Sequence, residues 1–124
     1  MEISGNLEVA DRLFRAIEAG DIDTVRELYA PGAIIWHNHD QREQTPAENL
    51  AVLRWVVKNI VNLKYTAVRR QTTPSGFVQQ HVLSGRFHGH DLALPACIVA
   101  TVEAGRIARL DEYLDSAQTA ILAA

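Results

Sequence analysis

The sequence has few of the features on which small extracellular and membrane proteins depend. Its 124 residues contain one cysteine, Cys97, so no intrachain disulfide can form. Cys97 lies in the apolar run 96–100, which predicts a buried core thiol. No apolar run approaches the ~20 residues needed to cross a bilayer, and residues 1–5 do not start a secretory signal. We therefore expect a cytoplasmic protein with no membrane partner.

Basic patches and nucleotide-binding motifs are also lacking. The 12 Lys and Arg residues against 15 Asp and Glu give a net charge of −3, and no basic run occurs, so we expect no nucleic-acid partner. The sequence has no glycine-rich phosphate loop, no Gly-x-Ser-x-Gly elbow and no serine or cysteine beside a plausible base. These absences predict a protein that needs no cofactor.

The composition that remains is that of one globular domain. The sequence is 48% hydrophobic and 22% charged, which is ordinary usage. Its length suits a single domain over 1–124, and such a domain buries enough surface to fold without a disulfide or metal.

Helical and extended patterns occupy different parts of the chain. Apolar periodicity, capping residues and Gly20 predict three helices: over about 6–19, from the cap Asp21 through Tyr29 to a stop at Pro31 and Gly32, and from the Thr45 capping box to about Ile60. β-branched and aromatic runs predict strands over 33–39, 63–72, 77–87, 92–102 and 106–114, with a short helix or tail from Ser116. Early helices and a later meander of long strands indicate an α+β fold with an antiparallel sheet, which curls around a helix.

Three segments carry a resemblance to a known family. Residues 19–30, the segment 105–107 and the ending 111–115 resemble the SnoaL-like polyketide cyclases of the nuclear transport factor 2-like superfamily, to which ketosteroid isomerase and limonene epoxide hydrolase belong. The resemblance covers nearly the whole chain. It implies a cone in which a curved antiparallel sheet wraps the N-terminal helices around one central apolar pocket. It also implies an apolar small-molecule ligand and a homodimer formed across the outer face of the sheet.

Strand alternation and the resemblance together select the pocket-facing residues. Successive side chains of a strand point to opposite faces, so His37 shares a face with Ile35 and His39, as Glu112 does with Leu110 and Leu114. The resemblance places His37 at the aspartate base of ketosteroid isomerase. It places Gln79, His81 and Glu112 near the arginine and two aspartates of limonene epoxide hydrolase.

This set predicts acid–base catalysis. Imidazole titrates near neutral pH and can give or take a proton, and a carboxylate beside it completes a base and its orienting partner. We expect His37 or His81 to be the base, Glu112 its partner and Gln79 a positioning donor. The predicted substrate contacts are Phe14, Ile35, His39, Gln79, Leu110 and Leu114.

The reaction itself stays open among cyclase, isomerase, dehydratase and hydrolase. The oxyanion-binding residues of the isomerase fall at about Leu13 and Ile98, which are both apolar. Gln79 replaces the arginine of the hydrolase, and His81 replaces one of its aspartates. The alternatives to an enzyme are a non-catalytic binder of an apolar molecule and an assembly module.

Asp115 has two interpretations. The resemblance places the catalytic aspartate of the cyclases at Asp115 or, second, at Asp111. Alternatively, Asp115 caps the helix predicted from Ser116.

A metal-dependent enzyme is the remaining alternative. His37, His39 and Glu43 form His-x-His-x3-Glu, which is similar to the first metal motif of cupins, and residues 88–91 offer further ligands. The second cupin motif is missing and the chain opens with helices, so we expect no bound metal.

Overall fold

The computed structural model describes residues 2–115 and 117–119, with side chains from Gly5 onward. The elements in chain order are α1 (Glu2–Ala19), α2 (Ile22–Leu28), β1 (Tyr29–His37), β2 (Glu43–Gln44), α3 (Pro46–Asn59), β3 (Val61–Thr73), β4 (Gly76–Phe87), β5 (His90–Glu103) and β6 (Arg106–Leu114). This order confirms the predicted α+β class. Residues 117–119 are helical, and the rest of the tail predicted from Ser116 lies outside the described residues.

One curved, unclosed sheet organises the fold. Its strand order is β2-β1-β6-β5-β4-β3; β1 runs parallel to β6 and the other neighbours are antiparallel. Helix α1 packs on β3 and β4, while α3 packs on β1. The largest fully buried side chains include Leu13, Leu28, Ile35, Phe77 and Ile107. The core therefore lies between the helices and the inner face of the sheet.

The second and third helices begin where the sequence predicts, and side-chain hydrogen bonds cap both starts. The Asp21 side chain accepts from the Thr24 backbone N–H at 3.1 Å. The Glu48 backbone N–H donates to Thr45 Oγ1 at 3.2 Å, and the Thr45 N–H donates to Glu48 Oε1 at 2.9 Å. These bonds satisfy amide groups that lack partners in a helix's first turn.

The end of the second helix was predicted wrongly. Tyr29 has extended backbone angles (φ −85°, ψ 132°) and pairs with Ile107 as the first residue of β1. Pro31 and Gly32 lie inside that strand, where its pairing with β6 is irregular. Proline is tolerated in a strand at such irregular positions, so the dipeptide belongs to β1 and does not end a helix.

The region after β1 also differs from the prediction. The strand ends at His37, and residues 38–40 form a turn, so His39 does not continue the alternation. The predicted loop contains β2, in which Gln44 pairs with Ile35 and Glu43 with Trp36. A two-residue strand carries too little pattern to be detected in sequence.

Cys97 is not the buried core thiol that the sequence suggested. It is only half-buried, because its neighbour Ile98 takes the inward position in β5 and alternation turns Cys97 to the outer face. Among the described residues, no helix is long and apolar enough to span a membrane.

Candidate active site

The register of five strands aligns one row of side chains across the sheet. His37 is paired with Glu112, Glu112 with Ile98, Ile98 with Gln79, and Gln79 with Arg70. Paired residues point to the same face of a sheet. The row therefore brings two of the predicted catalytic residues, His37 and Glu112, side by side.

His37 and Glu112 form a hydrogen-bonded pair. His37 Nε2 lies 3.0 Å from Glu112 Oε1, and the two side chains are 13% and 20% exposed. A carboxylate only accepts hydrogen bonds, so the bond places a proton on Nε2. His37 Nδ1 is buried and has no protein partner. In the neutral ring this atom carries an unused lone pair, which is what a base requires.

The surroundings of His37 raise its pKa above the ordinary value of 6.5. Burial of the ring is the largest influence and lowers the pKa, but the hydrogen bond and charge of Glu112 and the charge of Asp40 together outweigh it. Glu112 thus favours the imidazolium that forms when His37 accepts a proton.

The pair lines a small, partly open cavity of about 50 Å³ beneath helices α1 and α3. Most of the lining is apolar or aromatic: Leu13, Phe14, Ile17, Tyr29, Ile35, His37, Asn49, Leu53, Tyr65, Ile98, Leu110 and Glu112. The volume is well below the roughly 300 Å³ of a typical ligand pocket. Only a small compound, or the reactive end of a larger one, fits beside His37 without rearrangement.

Three polar lining residues were missed in the sequence. The Tyr29 hydroxyl donates to Asn49 Oδ1 at 2.6 Å, and Asn49 Nδ2 donates to Gln44 Oε1 at 3.1 Å. Burial, and to a smaller extent the charge of Glu112, raises the pKa of both Tyr29 and Tyr65, so both phenols stay protonated. Tyr65 shares a strand face with buried Leu63, an alternation that could have identified it. Tyr29 was assigned to a helix, and Asn49 has no distinguishing motif.

Gln79 and His81 form a second polar pair beside the cavity. Gln79 Nε2 lies 2.8 Å from His81 Nδ1, while Arg70 Nε donates to Gln79 Oε1 at 2.6 Å. The His81 ring packs edge-on against Phe14 and Tyr65, with centroid separations of 5.5 and 4.7 Å. Gln79 and His81 do not line this cavity. His81 lines a separate, open groove of about 790 Å³ and contacts the cavity through these two rings.

The environment of His81 lowers its pKa below 6.5. Burial is the main cause; the charge of Glu112 opposes it and that of Arg70 reinforces it. His81 Nε2 is buried without a protein partner. The two histidines are therefore shifted in opposite directions, a pattern typical of sites that separate acid and base roles.

The other predicted contacts divide into two groups. Phe14, Ile35 and Leu110 line the cavity. The His39 side chain is 41% exposed, its Nε2 lies 3.7 Å from Asp40 Oδ2, and its ring centroid is 5.7 Å from that of His37. Leu114 lines a separate groove on the sheet. His39 is thus a rim residue, and Leu114 lies apart from the cavity.

Neither aspartate near the end of β6 joins the pair. The Asp115 side chain accepts from the Ala117 N–H at 2.9 Å, which fits the capping interpretation. Asp115 lines the same groove as Leu114. Asp111 accepts from Arg109 Nε at 3.0 Å, on the strand face opposite Glu112.

The set proposed as a metal site is not assembled. Glu43 Oε2 lies 3.2 Å from Arg109 Nη1, an outer-face residue, and so points away from His37. Asp91 is paired with Arg86 at 2.9 Å, in the hairpin that turns at Gly89. Across the described residues, no three histidine, cysteine or acidic side chains are placed to share a metal ion.

Comparisons with known proteins identify the same architecture. A model of the SnoaL-like domain matches residues 10–110. An epoxide hydrolase of the limonene-epoxide-hydrolase-like type from M. tuberculosis superimposes with a TM-score of 0.82 at 13% identity, covering 100% of both chains. A proposed polyketide cyclase from Xanthomonas campestris gives 0.85 at 16% identity, covering 95% of this chain and 98% of that one. IdmH, a proposed polyketide cyclase from Streptomyces antibioticus, gives 0.80 at 20% identity, covering 96% and 99%. No curated protein matches the sequence. At these identities the structural matches show the fold alone.

Proposed function

Because the chain belongs to the SnoaL-like domain family, we propose that it is a cofactor-independent small-molecule enzyme in which His37 is the general base. The observation that carries this proposal is the 3.0 Å bond from His37 Nε2 to Glu112, which leaves Nδ1 buried and unpartnered. Of the two histidines that the sequence left as alternatives, His37 is the one that lines the cavity.

The proposed chemistry is proton abstraction next to a carbonyl group. His37 Nδ1 takes a proton from the carbon, and the electrons of the broken C–H bond form an enolate whose charge rests on the carbonyl oxygen. Glu112 stabilises the resulting imidazolium through Nε2–H. The neutral phenol of Tyr65 lines the same cavity and can donate a hydrogen bond to the enolate oxygen. Return of the proton from His37 to another carbon of a conjugated enolate completes an isomerisation. In a cyclisation, the enolate carbon attacks a second carbonyl carbon of the substrate, the C=O π electrons move to that oxygen, and the oxygen takes the proton from His37.

The size and lining of the cavity support a small, largely apolar substrate. The cavity of about 50 Å³ is lined mainly by apolar and aromatic side chains, which favour a neutral compound over a charged one. This feature supports a binding or catalytic role over one confined to assembly.

Ligand discovery followed by paired variants tests the proposal. Small cyclic ketones, β-diketones and epoxides are screened by thermal shift, because a ligand stabilises the native state by mass action. For a compound that binds, affinity and turnover are then measured in His37→Gln, Glu112→Gln and the control His39→Gln. We expect His37→Gln to bind within about threefold of wild type but to lose about 10²–10⁴-fold in turnover. Equal turnover in His37→Gln and wild type overturns the proposal.

A non-catalytic carrier is the outcome that the same screen distinguishes. If the wild-type protein binds a compound tightly and neither exchanges its protons nor converts it, the cavity serves binding. His37→Gln then changes affinity alone, whereas an enzyme shows separate effects on binding and turnover.

We also propose a homodimer formed through the outer face of the sheet. That face carries the exposed apolar side chains Val99 and Tyr113, which are 41% and 48% exposed. Exposed apolar side chains on a sheet face are a surface that a second copy can cover. Light scattering should give a dimer for wild type and a monomer for Val99→Asp. A monomeric wild type contradicts this assignment and leaves the catalytic proposal intact.

A further inference from the structure

The polar chain Arg70–Gln79–His81, which is buried at Gln79 and His81, has no role in the chemistry assigned to His37. Arg70 Nε lies 2.6 Å from Gln79 Oε1, and Gln79 Nε2 lies 2.8 Å from His81 Nδ1. Gln79 is 0% exposed and His81 3%. The chain ends at His81 Nε2, which is buried without a protein partner.

The direction of this chain follows from the chemistry of arginine. A guanidinium group donates hydrogen bonds and accepts none, so the atom of Gln79 that faces Arg70 must be the carbonyl oxygen. The amide nitrogen of Gln79 then faces His81, and because it donates, His81 Nδ1 must accept. The only neutral tautomer that satisfies this arrangement has its proton on Nε2.

Arg70 is itself held in place by α1. Its Nη1 lies 3.6 Å from Asp11 Oδ1, and its guanidinium carbon lies 5.8 Å from the centroid of the Phe14 ring. Asp11 is also paired with Arg15 at 2.9 Å. The same Phe14 ring contacts His81 at a centroid separation of 5.5 Å. The helix thus fixes both ends of the chain, and the direction of its hydrogen bonds is set before any ligand binds.

We propose that His81 is a fixed, neutral Nε2–H donor for an acceptor oxygen of the ligand, and that Arg70 sets its tautomer through Gln79. The inference rests on the proposed function and specifies it further: the substrate carries a carbonyl-type oxygen that reaches His81 from the groove that this residue lines. His81 is then an oxygen-binding residue beside Tyr65 and not a second base. Arg70 and Gln79 are positioning residues that act through His81.

Burial of His81 agrees with this role, because it lowers the pKa of the ring and keeps it uncharged. A neutral imidazole donates one hydrogen bond without bringing a charge into its buried surroundings. The opposite shift at His37 leaves the proton-accepting role to that residue.

Nitrogen NMR of the histidine side chains tests the tautomer without any turnover. In ¹⁵N-labelled protein at pH 7.5, the ring nitrogens of the five histidines are resolved by long-range ¹H–¹⁵N correlation, and His81→Asn identifies the His81 signals. We expect His81 to carry its proton on Nε2 alone. Gln79→Glu should move the proton to Nδ1, because a carboxylate accepts where the amide donates. Arg70→Met should give a mixture of tautomers, and the neighbouring control Arg69→Met should leave the signals unchanged.

A pair of probes that differ only in the acceptor atom tests the oxygen site. Cyclopentanone presents a carbonyl oxygen, whereas methylenecyclopentane has nearly the same shape and presents none. We expect cyclopentanone to shift the His81 Nε2 and Hε2 signals of wild type at least threefold more than methylenecyclopentane does, and the difference to vanish in Gln79→Glu. Equal shifts from the two probes, no shift from either, or a wild-type proton on Nδ1 overturns the inference.

These results are separable from those for His37. If His37→Gln leaves turnover unchanged but the His81 tautomer and probe shifts are as expected, the oxygen site stands and the base assignment fails. If the tautomer or the probe result is contrary, the inference fails whatever His37 does.

Discussion

The side-chain amide of Asn38 forms two hydrogen bonds with the backbone of Leu114. Asn38 Nδ2 donates to the Leu114 carbonyl at 3.1 Å, and the Leu114 N–H donates to Asn38 Oδ1 at 2.9 Å. A further bond joins the Asn38 backbone N–H to the Glu112 carbonyl at 3.0 Å. The end of β1 is thereby fixed to the end of β6, so that His37 and Glu112 lie side by side.

Loss of the Asn38 amide should destabilise the fold and weaken the contact between His37 and Glu112. Asn38→Ala removes two partly buried hydrogen bonds, which are worth about 1–3 kcal/mol together. Asn38→Asp keeps the acceptor for the Leu114 N–H but places a carboxylate oxygen against the Leu114 carbonyl oxygen, so it should also destabilise the fold. Urea denaturation measures both free energies of unfolding. Asn59→Ala, which removes one exposed bond to the Trp55 carbonyl, should stay within about 0.5 kcal/mol of wild type.

The titration of His37 should depend on Glu112. In wild type the NMR midpoint of His37 should lie above 6.5, because Glu112 outweighs the effect of burial. Glu112→Gln removes the negative charge and leaves burial dominant, so the midpoint should fall below 6.5. A midpoint that is the same in both proteins contradicts the assigned pair.

The two histidines should affect stability in opposite directions. The folded pKa of His37 is raised, so its contribution to stability is complete below its unfolded value of about 6.5 and is lost as pH rises through the folded value. The folded pKa of His81 is lowered, so its contribution is present above about 6.5 and is lost as pH falls through the folded value. Unfolding free energies of His37→Gln and His81→Asn, measured from pH 5 to 8 relative to wild type, should show these opposite slopes.

Gly76 should not accept a side chain. A Cβ at this position would lie 1.9 Å from the Ala100 carbonyl oxygen, whereas at Gly32 it would meet nothing within 4 Å. Gly76→Ala must displace β5 and should cost at least about 1–3 kcal/mol. Gly32→Ala should stay within about 0.5 kcal/mol. Similar thermal denaturation midpoints for the two variants would show that the hairpin of β4 and β5 adapts more readily than its close packing indicates.

Added zinc or manganese should not load the protein stoichiometrically. The carboxylate that would complete the His37 and His39 set belongs to Glu43, which is paired with Arg109 at 3.2 Å. Elemental analysis after metal addition and desalting should give much less than one equivalent, with or without prior chelator treatment. One equivalent of metal that is lost in His37→Gln would restore the metal-dependent alternative.

Much of the fold could be predicted from periodicity and capping. The Thr45–Glu48 capping box marks the start of α3, and the alternation of Phe77, Gln79 and His81 identifies the inner face of β4. Tyr29 was assigned to the wrong element because an apolar residue that follows a helical pattern fits the end of the helix as well as the start of a strand. Pro31 was therefore interpreted as the end of that helix, although it lies at an irregularity of β1.

The site could be predicted only in part. Alternation and the family resemblance identified His37 and Glu112, which the parallel pairing of β1 with β6 brings together. The choice of His37 over His81 as the base depends on tertiary contacts: Gln79 occupies His81 Nδ1, whereas Glu112 leaves His37 Nδ1 unused. Asn49 lines the cavity from α3. No sequence motif surrounds it, so sequence patterns alone could not identify it.

Exchange of the α-protons of cyclopentanone in D₂O tests the role of His37 most directly, because it detects proton abstraction without knowledge of the natural substrate. Proton NMR follows the loss of the α-proton signal with wild type, His37→Gln and the control His39→Gln. We expect wild type and His39→Gln to accelerate exchange above the buffer rate, and His37→Gln to reduce the acceleration by about 10²-fold or more. Exchange at the same rate with His37→Gln and wild type would contradict the assignment of His37 as the base.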